Sequence, residues 1–157
     1  MNNILIAKTF TFDAAHRLQN HDGKCRNLHG HTYSVRISLE GSPKVDGPQA
    51  GMVLDYGTLS AWWKSIEPSF DHRTILEVND PLVDALGGGD RGREVDPPAW
   101  GWPILRDDPP TAENLALLIL DSLKTWLSDY ANIQGAVVRV SETPKTYAEA
   151  YWVEEEE

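Results

Sequence analysis

At 157 residues, with 41% hydrophobic and 24% charged side chains, the chain is long enough for one domain with a sizeable core and too ordinary in composition for a disordered or fibrous protein. Its net charge of −10 argues against a large phosphate-backbone-binding surface, while leaving room for a local basic cluster around an anionic small molecule. A single cysteine excludes an internal disulfide, Met1–Lys8 has too short an apolar run for a signal peptide, and no apolar stretch reaches membrane-spanning length, so the expectation is a cytoplasmic protein with neither membrane nor nucleic-acid partner.

The first predicted element is a strand over Ile4–Ala15, with Phe10, Phe12 and Ala14 on one parity and His16 continuing it. Leu18–Asn27 is polar, contains glycine and reads as a loop. Thr32–Gly41 is the clearest strand. Tyr33, Val35, Ile37 and Leu39 alternate with Thr32, Ser34, Arg36, Ser38 and Glu40, which predicts an antiparallel sheet with one buried face. Gly41–Gly51 is a connector with Pro43, Gly47 and Pro48. Asp55 is placed to cap a helix that starts near Tyr56, with Leu59, Trp62, Trp63 and Ile66 at helical spacing and Pro68 helping to end it.

Asn79–Pro110 holds six of the ten prolines and five of the twelve glycines, and reads as a surface insertion. Trp100 and Trp102 within it raise the alternative of a lid or an oligomer contact. Thr111 is placed to cap a longer helix with a stripe of Leu115, Leu118, Ile119, Ser122 and Trp126, and Glu113 suits its first turn. Ala136–Glu142 and Tyr147–Val153 read as strands joined at Thr143-Pro144-Lys145, and Glu154–Glu157 as an acidic tail. The order ββααββ predicts a single α+β domain over 1–157, a four-stranded antiparallel sheet with two helices packed on one face.

His29 and His31 lie two apart on one strand, so both project from one face, roughly 6–7 Å apart at the backbone. If the first strand pairs with the second, His16 closes a triangle. Three imidazoles without an obvious fourth protein ligand describe a zinc site of the open, catalytic type, and Gly30 between two of them allows close approach of backbone or substrate. A competing arrangement uses Cys25 as a fourth ligand in a closed, structural site. Lys24 and Arg26 flank Cys25 and, with a nearby metal, favour its thiolate. Asp71 and His72 form a second pair of interest. Neighbours on an extended chain point apart and need not touch, but a carboxylate near an imidazole orients it and raises its basicity. Glu142 shares the parity of Val138 and Val140, and a carboxylate on an apolar parity either reaches solvent at the strand end or anchors the paired N–H groups of a ligand.

These residues together resemble the 6-pyruvoyl-tetrahydropterin synthase/QueD family. Phe12-Asp13-Ala14-Ala15-His16-Arg17-Leu18 and Cys25-Arg26-Asn27-Leu28-His29-Gly30-His31-Thr32-Tyr33 look like its first two signatures. Gly51-Met52-Val53-Leu54-Asp55-Tyr56, Asp71-His72-Arg73, Pro110-Thr111-Ala112-Glu113-Asn114-Leu115 and Glu142-Thr143 follow in the family's order. The resemblance implies a T-fold whose subunits associate into a barrel, a homo-oligomer (tetramer or hexamer) with active sites at subunit interfaces. It implies zinc on His16, His29 and His31, Cys25 as catalytic base, Asp71 and His72 as proton-transfer partners, and Glu142 as pterin anchor. Thr111 and Glu113 match a further stretch near the pocket. The three-residue spacer between Cys25 and His29 favours the branch that makes 6-carboxy-5,6,7,8-tetrahydropterin from 7,8-dihydroneopterin triphosphate, on the route to queuosine and other 7-deazaguanines. The rivals are the pyruvoyl-forming branch and a non-catalytic pterin- or metal-binding module. Arg17, Lys24, Arg26, Arg73 and Lys145 are the cations available to a triphosphate.

Overall fold

The computed structural model describes residues 3–86 and 104–153. Strand β1 (Ile4–His16) pairs antiparallel with β2 (His29–Gly41) along its whole length, from Ile4 opposite Gly41 to His16 opposite His29. β5 (Ile133–Thr143) pairs antiparallel with β2, and β6 (Thr146–Val153) with β5. The alternation seen in the sequence is the alternation of the sheet. Phe12, Tyr33, Val35, Ile37, Leu39, Val138 and Val140 are buried on one face.

The sheet is wider than the predicted one and is mixed. Two short strands, β3 (Arg73–Glu77) and β4 (Ile104–Arg106), add in parallel beside β1, giving six strands in the order β4-β3-β1-β2-β5-β6 among the described residues. Neither carries the period-two signal of a half-covered strand. Ile75, Leu76 and Glu77 are all buried in succession, and β4 is three residues at the end of a Pro/Gly-rich run. The segment 79–110 is therefore built into the fold at both ends. Asp80 and Val83 are buried around the short helix α2 (Leu82–Ala85), and the Val78 amide donates to Arg106 O at 2.8 Å. Residues 87–103, with Trp100 and Trp102, and the acidic tail 154–157 lie outside the described residues.

Helix α1 (Tyr56–Ile66) starts at Asp55, whose carboxylate accepts from the Gly57 amide at 2.5 Å. Helix α3 (Ala112–Leu127) starts at Thr111, whose hydroxyl accepts from the Asn114 amide at 3.3 Å, and it lies across β5 and β6. Trp63 of α1 stacks on Phe10 at 5.0 Å between ring centroids, and Trp62 stacks on Trp126 of α3 at 5.6 Å, tying both helices to one core. The buried face of α3 is broader than the predicted stripe. Ala116, Leu120, Leu123 and Leu127 join Leu115 and Ile119 inside, whereas Leu118, Ser122 and Trp126 are half-buried at its edge. A helix that meets a sheet on one side and another helix beside it buries more than a single stripe. No helix among the described residues is long and apolar enough to cross a membrane.

Leu123 is wholly buried and Leu117, on the same helix, is about half exposed. Leu123→Ala is expected to lower unfolding free energy in urea by about 2–5 kcal/mol, and Leu117→Ala to change it by no more than about 0.5 kcal/mol.

Candidate metal centre and proton-transfer groups

The β1–β2 register carries the site. His16 sits directly opposite His29 and Ala14 opposite His31, so the three imidazoles share the core face at the end of the sheet. Their ring centroids are 4.6–5.1 Å apart, and their ligating nitrogens all lie within 4.8 Å of one another. Gly30 leaves room for this pairing, since a Cβ there would meet Ala14 O at 3.1 Å. Nδ1 of His16 donates to Pro110 O and Nδ1 of His29 to Asn27 O, both at 2.7 Å. A carbonyl accepts only, so these bonds fix the proton on Nδ1 and leave the Nε2 lone pairs for a ligand. Nε2 of His16 and of His31 are buried without a hydrogen-bond partner. Burial lowers the His16 pKa, against the opposing pull of its Pro110 bond and of Glu142, and keeps the ring in the neutral form that binds metals. The trio can hold a divalent ion.

Cys25 is not part of this cluster. It lies in a short 3-10 turn, Lys24–Arg26, as a partly exposed free thiol, so the closed four-ligand arrangement does not form. Glu142, at the end of β5, brings Oε1 to 3.9 Å from His16 Nε2. Of the two residues on the α3 approach, Thr111 uses its hydroxyl as the helix cap and Glu113 is exposed in the first turn. Pro110, just before them, is the residue that touches the trio.

Asp71 and His72 form a second, separate cluster with Asp13. The expectation that the two neighbours point apart fails, because His72 adopts φ 55°, the left-handed region, and its ring turns back so that Nδ1 meets Asp71 Oδ2 at 2.8 Å. The Asp13 backbone holds this geometry from both sides. Its amide donates to Asp71 Oδ1 at 2.9 Å, and its carbonyl accepts from the His72 amide at 2.6 Å. Thr32 in turn donates to Asp13 Oδ1 at 2.5 Å. The His72 side chain is 79% exposed and lines a shallow groove of about 500 Å³ with Asp13, Ala15, Gly30, Thr32 and Arg73. Asp13, Ala15, Gly30 and Thr32 have the parity that faces away from the core, so groove and imidazole trio lie on opposite sides of one sheet.

The sequence profile for 6-pyruvoyl tetrahydropterin synthase matches residues 5–152. The chain belongs to the 6-pyruvoyl tetrahydropterin synthase family. It is 35% identical over 131 residues to a probable 6-carboxy-5,6,7,8-tetrahydropterin synthase of Halobacterium salinarum, covering 83% of this chain and 75% of that protein. It is 32% identical over 146 residues to a 6-carboxy-5,6,7,8-tetrahydropterin synthase of Haemophilus influenzae, covering 92% and 96%. Its fold is that of an uncharacterized protein from Wolinella succinogenes, with TM-score 0.77, 24% identity and coverage of 96% and 99%. The 6-pyruvoyl tetrahydropterin synthase of Plasmodium falciparum superposes with TM-score 0.70 at 20% identity over 96% and 98% of the two chains.

Around these two clusters lie three further residues that the sequence pattern did not single out. Asp13 and Thr32 brace the Asp71–His72 pair, and Tyr33 lies against His16 and His31 at 5.8 and 5.4 Å between ring centroids, its hydroxyl buried and unpartnered. Burial, with a smaller effect of the nearby Glu142 charge, pushes the Tyr33 hydroxyl up and keeps it neutral. The parity of Tyr33, two residues beyond His31, was the available signal. Asp13 gave none, because its role is played mainly by its backbone. Arg17 is not the free cation expected, since its guanidinium is bound to Asp80.

The hydrogen bond that the His72 ring gives to Asp71, then the Asp71 charge, raises the His72 pKa above the usual imidazole range. The Asp13 amide first, then His72, holds the Asp71 carboxyl below the usual carboxylate range. The ion pair is thus fully formed below the ordinary imidazole value and is lost as pH rises through the elevated one. On the acid side it is lost as pH falls through the depressed Asp71 value. In a proton NMR titration, Asp71→Asn should move the His72 midpoint down. A midpoint that stays put would show that Asp71 does not govern this imidazole.

Proposed function

We propose that this chain is a zinc-dependent lyase, a 6-carboxy-5,6,7,8-tetrahydropterin synthase. It converts 7,8-dihydroneopterin triphosphate, with water, to 6-carboxy-5,6,7,8-tetrahydropterin, acetaldehyde and triphosphate, in the cytoplasm and on the route to queuosine and other 7-deazaguanines. The observation that carries this reading is the trio His16, His29 and His31, whose clustered nitrogens include two buried Nε2 atoms with no protein partner. Relatives at about a third identity that bear the name of this activity support it. Three imidazoles with no carboxylate or thiolate among them suit Zn²⁺ in an open site. When bound, the ion supplies Lewis acidity toward the oxygens of the substrate side chain.

The protein's own groups supply the rest. The Cys25 thiolate takes a proton from the substrate side chain. His72, oriented by Asp71, delivers or collects the proton at the other end. Glu142 accepts from the ring N–H and amino group of the pterin, and a carboxylate that matches paired donors rejects rings that lack them. Thr111 and Glu113, at the start of α3, are the further substrate-binding residues of this reading. Lys24, Arg26, Arg73 and Lys145 are the cations left for the triphosphate. No outside redox cofactor is required, because the ring gains the electrons that the side chain loses. The exposure of His72 and its place on the far side of its own sheet favour a homo-oligomer, tetramer or hexamer, in which a second copy brings Asp71 and His72 to the zinc and Cys25 of the first.

Zinc-loaded protein incubated with 7,8-dihydroneopterin triphosphate should release acetaldehyde and the 6-carboxy pterin, both read by mass spectrometry. A 6-pyruvoyl product without acetaldehyde would place the chain in the sister branch, and an unchanged substrate would leave a binding module. Cys25→Ala should keep one equivalent of zinc and lose turnover by roughly 10²–10⁴-fold, whereas His29→Ala should lose both. Mixing Cys25→Ala with His72→Ala protein should restore part of the activity if sites are shared between copies.

A further inference from the structure

Arg17 follows the last residue of β1 and opens the loop that carries Cys25. Its guanidinium grips Asp80 with two donors, Nε to Oδ2 at 2.7 Å and Nη2 to Oδ1 at 2.5 Å. Asp80 is only 3% exposed, and its Oδ1 also accepts from the Leu82 amide at 2.8 Å, which fixes the carboxylate on the first turn of α2. Burial alone would push the Asp80 carboxyl up, but the Arg17 bond and the Leu82 amide outweigh it and hold the group below the usual carboxylate range. Two residues along the loop, the Gln19 amide donates to Glu77 and, at 2.7 Å, to Asn79 Oδ1. Leu18 is therefore held on both sides by the segment 77–80. Its amide donates to the carbonyl of Cys25 at 2.9 Å, and its own carbonyl accepts from the His21 amide at 3.0 Å. The buried Asp80 carboxylate thus holds the Arg17 side chain, and the next residue, Leu18, covalently joined to it, is hydrogen-bonded to the backbone of Cys25.

A bidentate guanidinium–carboxylate pair fixes direction as well as distance, which a lysine ammonium does not. We propose that the Arg17–Asp80 pair is the positioning device for Cys25, setting the conformation of the thiol-bearing loop through Leu18. The proposal rests on the reading of Cys25 as the reacting thiol and adds to it two residues that touch neither substrate nor metal. It also gives the α2 segment a task, because the anchor point of the Cys25 loop lies there.

Cys25 is the only cysteine of the chain, so alkylation by iodoacetamide followed by intact mass reads this thiol alone. In the full-length protein, Arg17→Lys and Asp80→Asn are each expected to change the alkylation rate constant at neutral pH by about threefold or more. Both should speed hydrogen exchange at the Leu18 amide while leaving Val35 and Val138 in the core unchanged. With the pterin substrate, kcat should fall by roughly tenfold or more while KM moves by less than about twofold. Arg17→Lys keeps the charge and is the milder change, so it tests the clamp even where Asp80→Asn does not fold. Wild-type alkylation and wild-type Leu18 exchange in folded Arg17→Lys would overturn the proposal. Neither readout uses the substrate, so the clamp can fail while the synthase reading stands. Full turnover by Cys25→Ala would remove Cys25 from the chemistry while leaving the loop measurements intact.

Discussion

Every feature of the candidate metal centre depends on one register, that of β1 against β2. Side chains alternate along a strand, so a slip of one residue would send His16 to the other face of the sheet while His29 and His31 stayed on the core side. The register is held by what lies further along the same faces. Phe12 stacks on Tyr33 at 4.8 Å, and Val35, Ile37 and Leu39 are sealed against the helices. A shift of any of these toward solvent would cost on the order of 1.5–3 kcal/mol per side chain. The hydrophobic core thus sets the metal-binding geometry, and the β2–β5 irregularity is confined to the far end, at Glu40 and Gly41.

That arrangement puts polar groups where a core would otherwise be apolar. His16 is 2% exposed, and its Nε2, the His31 Nε2 and the Tyr33 hydroxyl are buried together without partners. Each such group costs about 1–3 kcal/mol when left unmatched. Backbone carbonyls of Pro110 and Asn27 satisfy the Nδ1 positions of His16 and His29 but leave the inward nitrogens as lone-pair donors. The loop before α3 and the loop before β2 therefore act as orienting elements for imidazoles that belong to the sheet.

The same sheet separates the chemistry into two sides. The imidazole trio and Glu142 are at the core face, and the Asp13–Asp71–His72 cluster opens into the groove on the other. His72 is held in a left-handed conformation by its amide, which donates to the Asp13 carbonyl, and by its ring bond to Asp71, which the Asp13 amide in turn fixes, so its exposed ring is presented rather than free. Strain of this kind persists only where surrounding structure over-determines it. An exposed, braced, proton-binding group on the outer face suits a role toward a neighbouring copy, in keeping with the proposed shared active site.

The sequence by itself determined the four long strands, the two long helices with their Asp55 and Thr111 caps, and the common face of His29 and His31. Each of these follows from local rules, the two-residue period of strands, the helical period and the short polar cap, that act over a few neighbours. The tertiary structure alone decided the width and mixed character of the sheet, because β3 and β4 are too short, and β3 too continuously buried over Ile75–Glu77, to show a period. It alone decided that Asp71 and His72 touch, because that depends on one residue adopting φ 55° under the hold of Asp13, some sixty positions away. It alone decided that Arg17 is spent on Asp80 rather than left for an anion, since a side chain's partner across 63 residues is set by packing and leaves no mark in the local pattern.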